Sequence, residues 1–461
     1  MDKHDEAVTQ IADRVRKFYA RKEAFRIYHG STNSTRQSHF QRDRMVDTSG
    51  FNYVKLGVSI NTLVKTTLNY SLIPLFVIEF PGITLGGGFV ATAGEASSFL
   101  FRDGEVVRAS AIERSDLFYR AASSFGTLGL TTMLEVQLIE AKAYVALTYH
   151  PVTSIIEAQR EIETATKDPT CDYLDGIMYS EIKGVICAGR LTNDIGLDTK
   201  VQKFTRPSDP WFYLHAYHFT AKHTSPITEA IPLVDYLFRY DRGGFWVARY
   251  AYTYFLTPFN RVIRYLLDHY MHTRVLYHAV HRSGLSSQYI IQEVAIPYPQ
   301  TATFMTYLAT TFKNYPIWLC PLKQSGKGIA STHSLQVDKL NQKFVTWNRD
   351  FEQKVHELGG QKWLYAHTYY IEQEFDEIYN RKEYDALRKK YSGSYLPSVY
   401  EKEKVDISKE KVKAENETWR EWTRRHVKSA WPLQGLYGVY KAAMNGEYLL
   451  ARTEKKAGKM E

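Results

Sequence analysis

Along the first twenty residues, apolar side chains recur at steps of three and four: Val8, Ile11, Ala12, Val15, Phe18 and Tyr19. That spacing marks one face of an α-helix and predicts an amphipathic first helix. Phe25 to Tyr28 reads as a short strand, and a second helix begins near Ile60. The longest apolar tract, Leu72 to Phe101, reaches the length of a membrane span, but Glu79, Pro81, Glu95 and several glycines make it a poor helix. Tyr144 to Pro151 reads as a strand closed by proline, after which Ile155 to Lys167 shifts to helix formers. Beyond it, strand-like Gly176 to Ser180 and Val185 to Leu191 precede two aromatic-dense segments, Trp211 to Phe219 and Tyr236 to Phe259. Within the second, Phe245 to Leu256 carries aromatics on nearly every side; it reads as a buried helix, or as a wall for an apolar ligand or a bilayer contact. Tyr289 to Pro297 and Tyr365 to Tyr369 alternate like strands. From Glu401 the material changes: a charged run to Lys413, then Trp419, Trp422 and His426 at helical steps among arginines, then Trp431-Pro432-Leu433 and Leu436 to Tyr440. Such a basic, tryptophan-bearing tail docks on the first domain or lies on a membrane. The succession of elements predicts an α+β chain divided into residues 1–149, 150–400 and a helical tail 401–461.

Three glycine- or hydroxyl-rich segments stand between these elements. His29 to Arg36 is a polar loop, Phe80 to Ser98 carries Gly82, Gly86, Gly87, Gly88 and Gly94, and Ser124 to Thr132 carries Gly126 and Gly129. Backbone of this kind lies against an anion without interference from Cβ atoms and offers N–H groups to phosphate. A dinucleotide Rossmann domain is excluded, because no Gly-x-Gly-x-x-Gly follows a strand and opens a helix.

Composition narrows the partners. The 461 residues are 44% hydrophobic and 14% aromatic, enough for a large core, and the formal charge of +9 suits anionic ligands or an acidic membrane surface. Nucleic acid is set aside because the positive residues are spread among acidic neighbours. Three scattered cysteines form neither a disulfide framework nor a zinc knuckle, which points to a reducing compartment. The opening residues are polar, without a secretory signal or an N-terminal anchor. His269, His272, His278 and His281 recur at helical steps without acids in register, so they read as surface or capping residues and no metal is expected.

Taken in order, the three segments resemble the flavin-binding (PCMH-type) domain of the vanillyl-alcohol-oxidase superfamily. Pro81 to Gly88, Ala93 to Ser98, Asp116 to Tyr119, Phe125 to Thr132, Tyr315 to Pro321 and Trp363 to His367 are similar to motifs of the Δ24-sterol reductase (diminuto, or seladin) family. The resemblance implies a shortened flavin-binding domain over 1–149 and an α+β cap over 150–400 whose end returns to it. It implies non-covalent FAD, NADPH as reductant, a sterol substrate, and a place on the cytoplasmic side of the endoplasmic reticulum in peripheral contact with the membrane. FAD-binding positions carried over are Gly30, Ser31, Thr32, Asn33, Ser34, Thr35, Thr84, Leu85, Gly86, Gly87, Gly88, Phe89, Ala93, Gly94, Glu95, Ala96, Gly126, Thr127 and Gly129. Histidine is missing from Gly30 to Thr35, which argues against a covalent flavin link.

Relative to the family pattern the chain is shortened after Lys55 and after Phe99, each time by one or two strands. An unpaired buried backbone group costs about 1–3 kcal/mol, so the sheet has either re-paired around a smaller topology or lost its hold on flavin. Two rival readings therefore stand: another oxidoreductase on the same fold, and a non-catalytic protein without flavin. Reducing an isolated alkene needs a hydride and a proton donor in an apolar slot. Glu293, His367 and Tyr369 are the candidate donors, on strands able to present them to one side.

Overall fold

The computed structural model describes residues 3–28, 41–48, 58–91, 97–100, 106–110, 112–121, 124–196, 198–222, 225–285, 290–313, 315–323, 328–330, 333–335, 341–364, 368–405 and 431–445. The architecture is mixed α/β. Helix α1 (Lys3–Arg21) buries Ile11, Ala12, Val15 and Phe18, the stripe its periodicity predicts, against Phe25, Val46 and Leu396. Strands β1 (Arg26–Tyr28) and β2 (Met45–Asp47) pair in parallel. Helix α2 (Ile60–Leu68) is capped by Ser59, whose side chain accepts the Thr62 N–H at 3.2 Å. Next come β3 (Leu72–Pro74), α3 (Leu85–Ala91), β4 (Ser97–Leu100), β5 (Val106–Ala109), α4 (Ser115–Ala121), β6 (Leu130–Leu134) and β7 (Leu138–Glu140). Strand β3 pairs with β7, while β4 lies between β5 and β6. The described strands of the first 140 residues thus form three small sheets. Strands β6 and β7, only three residues apart in the chain, belong to different sheets. Both shortened stretches, after Lys55 and after Phe99, run into residues outside the described set.

The main scaffold is a five-stranded antiparallel sheet in the order Ile227–Pro232, Tyr144–Val152, Lys183–Thr192, Tyr173–Ser180, Ile317–Leu319. In chain order these are β8 (Tyr144–Val152), β9 (Tyr173–Ser180), β10 (Lys183–Thr192) and β11 (Ile227–Pro232), followed after β12 (Ile290–Gln292) and β13 (Val294–Pro297) by β14 (Ile317–Leu319). Alternation along each strand feeds two cores. Val145, Leu147, Tyr149, Ile177, Val185 and Cys187 face an aromatic core with Phe204, Trp211, Phe212, Tyr236, Tyr240 and Trp246. Val152, Met178, Ile186 and Ile317 face the other, with α5 (Ile155–Lys167), Phe304 and Phe351.

Four further helices build out the aromatic side: α6 (Phe212–Lys222), α7 (Leu233–Leu237), α8 (Val247–Tyr254) and α9 (Arg261–Leu266), leading to α10 (Thr273–Ser283). Helix α8 buries only Ala248 and Tyr252 fully, so the aromatic run is one half-buried wall. Residues 381–391 return to the first part of the chain: Tyr391 Oη donates to Asp116 at 2.9 Å and Tyr384 Oη to Thr127 Oγ1 at 2.7 Å. The C-terminal helix, Leu433–Asn445, docks on α8 and α10, not on the first part as anticipated for the tail. Its Gly438 lies so near α10 that a Cβ there would stand 2.3 Å from the Ala279 carbonyl oxygen. Among the described residues, no helix is long and apolar enough to cross a membrane.

Candidate functional site

The glycine-bearing segment at Phe80 is held at both ends. Ile60 N–H donates to Ile83 O at 2.9 Å, and Leu85 N–H to Val58 O at 3.0 Å. Thr84 then caps α3, its Oγ1 accepting the Gly87 N–H at 3.1 Å and its carbonyl the Gly88 N–H at 2.9 Å. Leu85 to Phe89 is therefore the start of a helix and not an open loop, and the amides of Leu85, Gly87 and Gly88 are engaged within the protein. The Thr84 cap, with Ile83 and Leu85 pinned by Ile60 and Val58, outweighs the low helix propensity of glycine. Ahead of the helix, the Phe80 ring packs on Phe245 at 5.6 Å and on Tyr277 of α10 at 6.2 Å.

Beside this segment, buried polar groups converge on Asp175 of β9. One of its oxygens, Oδ2, accepts from Arg239 Nη2 at 2.8 Å, Tyr240 Oη at 2.7 Å and Trp318 Nε1 at 2.9 Å. The other, Oδ1, is buried with no hydrogen-bond partner, as is Arg239 Nε. The guanidinium lies 4.1 Å from the centre of the Tyr236 ring and 4.7 Å from that of Tyr240, so its charge is held by aromatic faces as well as by the carboxylate. Glu79 stands within the field of this pair. Burial raises its carboxyl above the ordinary range, opposed by a bond from its own backbone N–H and by Arg239. Burial pushes the Cys320 thiol up, and the charges of Glu79, Asp175 and Glu293 push the same way.

An apolar cavity of about 140 Å³ lies among α8, α10 and the C-terminal helix. Tyr250, Tyr254 and Phe255 of the α8 region, Tyr270, and Leu276 and Tyr277 of α10 line it, and Gly435 and Val439 of the C-terminal helix close one side. Tyr277 joins the Phe80 segment to the cavity. It packs on Phe80, lines the cavity, and feels the charge of Glu293, which adds to the upward push that burial gives its hydroxyl.

Of the catalytic candidates, Glu293 falls in the break between β12 and β13, half-buried, with its carbonyl accepting the Trp363 N–H at 2.9 Å. Tyr369 is tied to a different network: its N–H donates to Glu352 at 3.0 Å and its carbonyl accepts from Arg349 at 2.8 Å, beside the buried Glu352–Lys362 ion pair. Of the strand expected over Tyr365 to Tyr369, residues 365–367 lie outside the described residues; Thr368 forms an isolated bridge with Lys404, and the Tyr369 N–H goes to Glu352 instead of to a ladder. His367 lies outside the described residues, as do Gly30 to Thr35 and Ala93 to Ala96. Gly126 adopts φ +69° with a Cβ position 2.8 Å from Ile27 Cδ1, and Thr127 and Gly129 are buried beside it.

Of the four histidines, His278 and His281 are buried in α10 and not on the surface, since they fall on the apolar stripe of that helix. Burial, then Arg274, brings His278 down to about 4. His272 stands at the N-cap of α10 between Asp241 at 2.6 Å and Asp268 at 3.5 Å. Those two bonds push it up to about 9. No group of three metal-ligating side chains occurs among the described residues. Reading along the chain overlooked Glu79, Asp175, Arg239, Tyr277, Trp318 and Cys320. The one local sign was a charged residue in each of two apolar runs, Asp175 in β9 and Arg239 after α7.

No family model matches the chain. It is 28% identical over 363 residues to the Delta(24)-sterol reductase of Mus musculus, covering 70% of this chain and 68% of that protein. Against the Delta(24)-sterol reductase of Homo sapiens the identity is 26% over 376 residues, covering 74% and 71%. The Delta(24)-sterol reductase of Arabidopsis thaliana is 28% identical over 438 residues, covering 81% and 76%.

Proposed function

We propose that this chain, a member of the Delta(24)-sterol reductase family, reduces the side-chain C24=C25 double bond of a sterol. FAD of a PCMH-type domain supplies the hydride when bound, and NADPH reduces the flavin. In this reading residues 1–149 hold the cofactor, 150–400 form the cap and 401–461 the tail. The observation that carries it is Tyr277, which joins the glycine-bearing segment to the apolar cavity.

The described residues fit the ring end of a flavin. Asp175 Oδ1, buried and unpartnered, suits an N–H edge, and Phe80, Tyr240, Phe245 and Trp318 supply aromatic surface around it. The phosphate end is assigned to Gly30 to Thr35, Ala93 to Ala96 and the turn at Gly126 to Gly129. Internal bonding at Leu85, Gly87 and Gly88 removes three amides from that duty, which supports weaker cofactor binding than three open loops would give.

A cavity of about 140 Å³ is the size that accepts benzene, at roughly 150 Å³ in a solvent-free core, and so matches the branched end of a sterol side chain and not its four rings. Lining this slot with tyrosine, phenylalanine and leucine excludes water and disfavours the hydroxy acids and sugars of the rival oxidoreductase reading. The proton comes from the carboxyl side: Glu293 is retained as donor and Glu79 joins it, because a carboxyl raised by burial holds a proton nearer neutral pH. The sterol places the working site at a membrane surface, on the cytoplasmic side of the endoplasmic reticulum.

The test is a visible spectrum of purified protein followed by turnover of a Δ24-unsaturated sterol with NADPH and added FAD. Yellow protein and a saturated side chain are expected. A chain that stays colourless at every FAD concentration would favour the non-catalytic reading.

A further inference from the structure

On the segments that wall the apolar cavity the protein exposes large apolar side chains that it has no internal use for. Leu256 is 74% exposed and sits between two cavity-lining residues, Phe255 and Thr257. Leu266, 66% exposed, precedes the lining residue Leu267; Leu436 and Tyr440, each at least half exposed, follow the lining residues Gly435 and Val439. Each is exposed and directly follows or precedes a lining residue, so the exposed set lies on the outer side of the segments that wall the cavity. Trp431 joins this set through its indole N–H, which donates to Tyr254 O at 2.5 Å and ties the C-terminal helix to α8. Apolar surface gathered in this way marks an interaction site.

Charge says what covers it. Helices α8 and α9 and the C-terminal helix contain Arg249, Arg261, Arg264 and Lys441 and not one Asp or Glu. Arg261 is exposed, and Lys441 lies 5.7 Å from the Tyr437 ring and 5.8 Å from the Tyr440 ring. Tryptophan and tyrosine mixed with cations around leucines is the composition that settles at a headgroup boundary. A water-soluble partner gives no reason for the exposed set to coincide with the cavity walls, whereas a lipid surface does.

We propose that this exposed set docks the protein on an anionic lipid surface, so that the end of a sterol side chain passes from lipid into the cavity while the ring system stays in the bilayer. The route for the sterol rests on the function proposed above; the docking itself does not. Size supports the division, since the cavity of about 140 Å³ holds the side-chain end alone. The cation set accounts for the preference for anionic headgroups.

Co-sedimentation of the full chain with phosphatidylcholine vesicles, with and without phosphatidylserine, reads docking independently of turnover. The expected result is binding to the phosphatidylserine vesicles, at least tenfold weaker binding to pure phosphatidylcholine, and at least tenfold loss in the double variant Leu256→Glu/Leu266→Glu, both positions being solvent-exposed. Should that variant fail to fold, judged by its unfolding midpoint, Lys441→Glu carries the test through loss of the phosphatidylserine preference. Unchanged vesicle binding in the folded variants overturns the proposal. So does a double variant that breaks a dimer in sedimentation velocity while leaving vesicle binding intact, which would assign the exposed set to a second copy of the chain. Vesicle binding as expected with no sterol turnover would refute the function and leave the docking standing.

Discussion

Replacing Asp175 by alanine removes one carboxylate oxygen on which three buried donors depend: Arg239 Nη2, Tyr240 Oη and Trp318 Nε1. Each neutral donor left dry costs about 1–3 kcal/mol, and stranding the charge of a buried pair about 3–5 kcal/mol. These terms overlap, because Arg239 retains its bond to the Tyr236 carbonyl at 3.0 Å and its aromatic faces. A net loss of about 4 kcal/mol follows, a large share of the roughly 5–15 kcal/mol that holds a domain folded. Asp175→Asn keeps an acceptor and is expected to lose less than half as much. Trp318 and Trp246 lie in the same core, so tryptophan fluorescence during urea unfolding reports on this region. Asp175→Leu combined with Arg239→Met, which removes both charges, should recover at least half the loss of Asp175→Ala. If Asp175→Ala unfolds within about 1 kcal/mol of wild type, or the double variant is worse than the single, the carboxylate is not the organiser assigned to it. The free Oδ1 adds a second readout: if it meets the flavin ring, Asp175→Asn weakens FAD binding by about tenfold, the equivalent of one lost hydrogen bond to a charged group.

Other outcomes follow from the same geometry. His272 is held by Asp241 and Asp268 with its folded pKa raised to about 9, above the ordinary value of about 6.5. Its contribution to stability is therefore complete below about pH 6.5 and is lost as pH rises through 9; His272→Ala should flatten the pH dependence of the unfolding midpoint over that window, and an unchanged profile would reject the assignment. Gly438→Val drives a side chain into the Ala279 carbonyl, so the C-terminal helix should detach, with faster proteolysis before residue 433; a protease-resistant variant would mean that the helix can shift without undocking. On the proposed non-covalent FAD, acid precipitation should release the flavin and turnover should rise with added FAD; saturation at trace FAD would show that the engaged amides of α3 do not weaken binding.

Local pattern was enough for α1, read from its periodic apolar stripe, for α5, read from a run of helix formers, and for β8, read as a strand closed by proline, because each of these signals is written in consecutive residues. The sequence by itself also carried the resemblance to Delta(24)-sterol reductases, through short motifs, and the α/β mixture. It did not show that the glycine run opens a helix, since the decision rests on Thr84 capping Gly87 and on anchors from Val58 and Ile83. Nor did it separate Glu293 from Tyr369, which read as equivalent strand positions until Glu352 took the Tyr369 backbone. Asp175 meets Arg239 across 64 residues and Trp318 across 143, and the C-terminal helix meets Tyr254 across 177. Local pattern carries the demand that a charge or an apolar face be satisfied, but only the closed tertiary structure decides which distant group satisfies it, and the site is made of those distant choices.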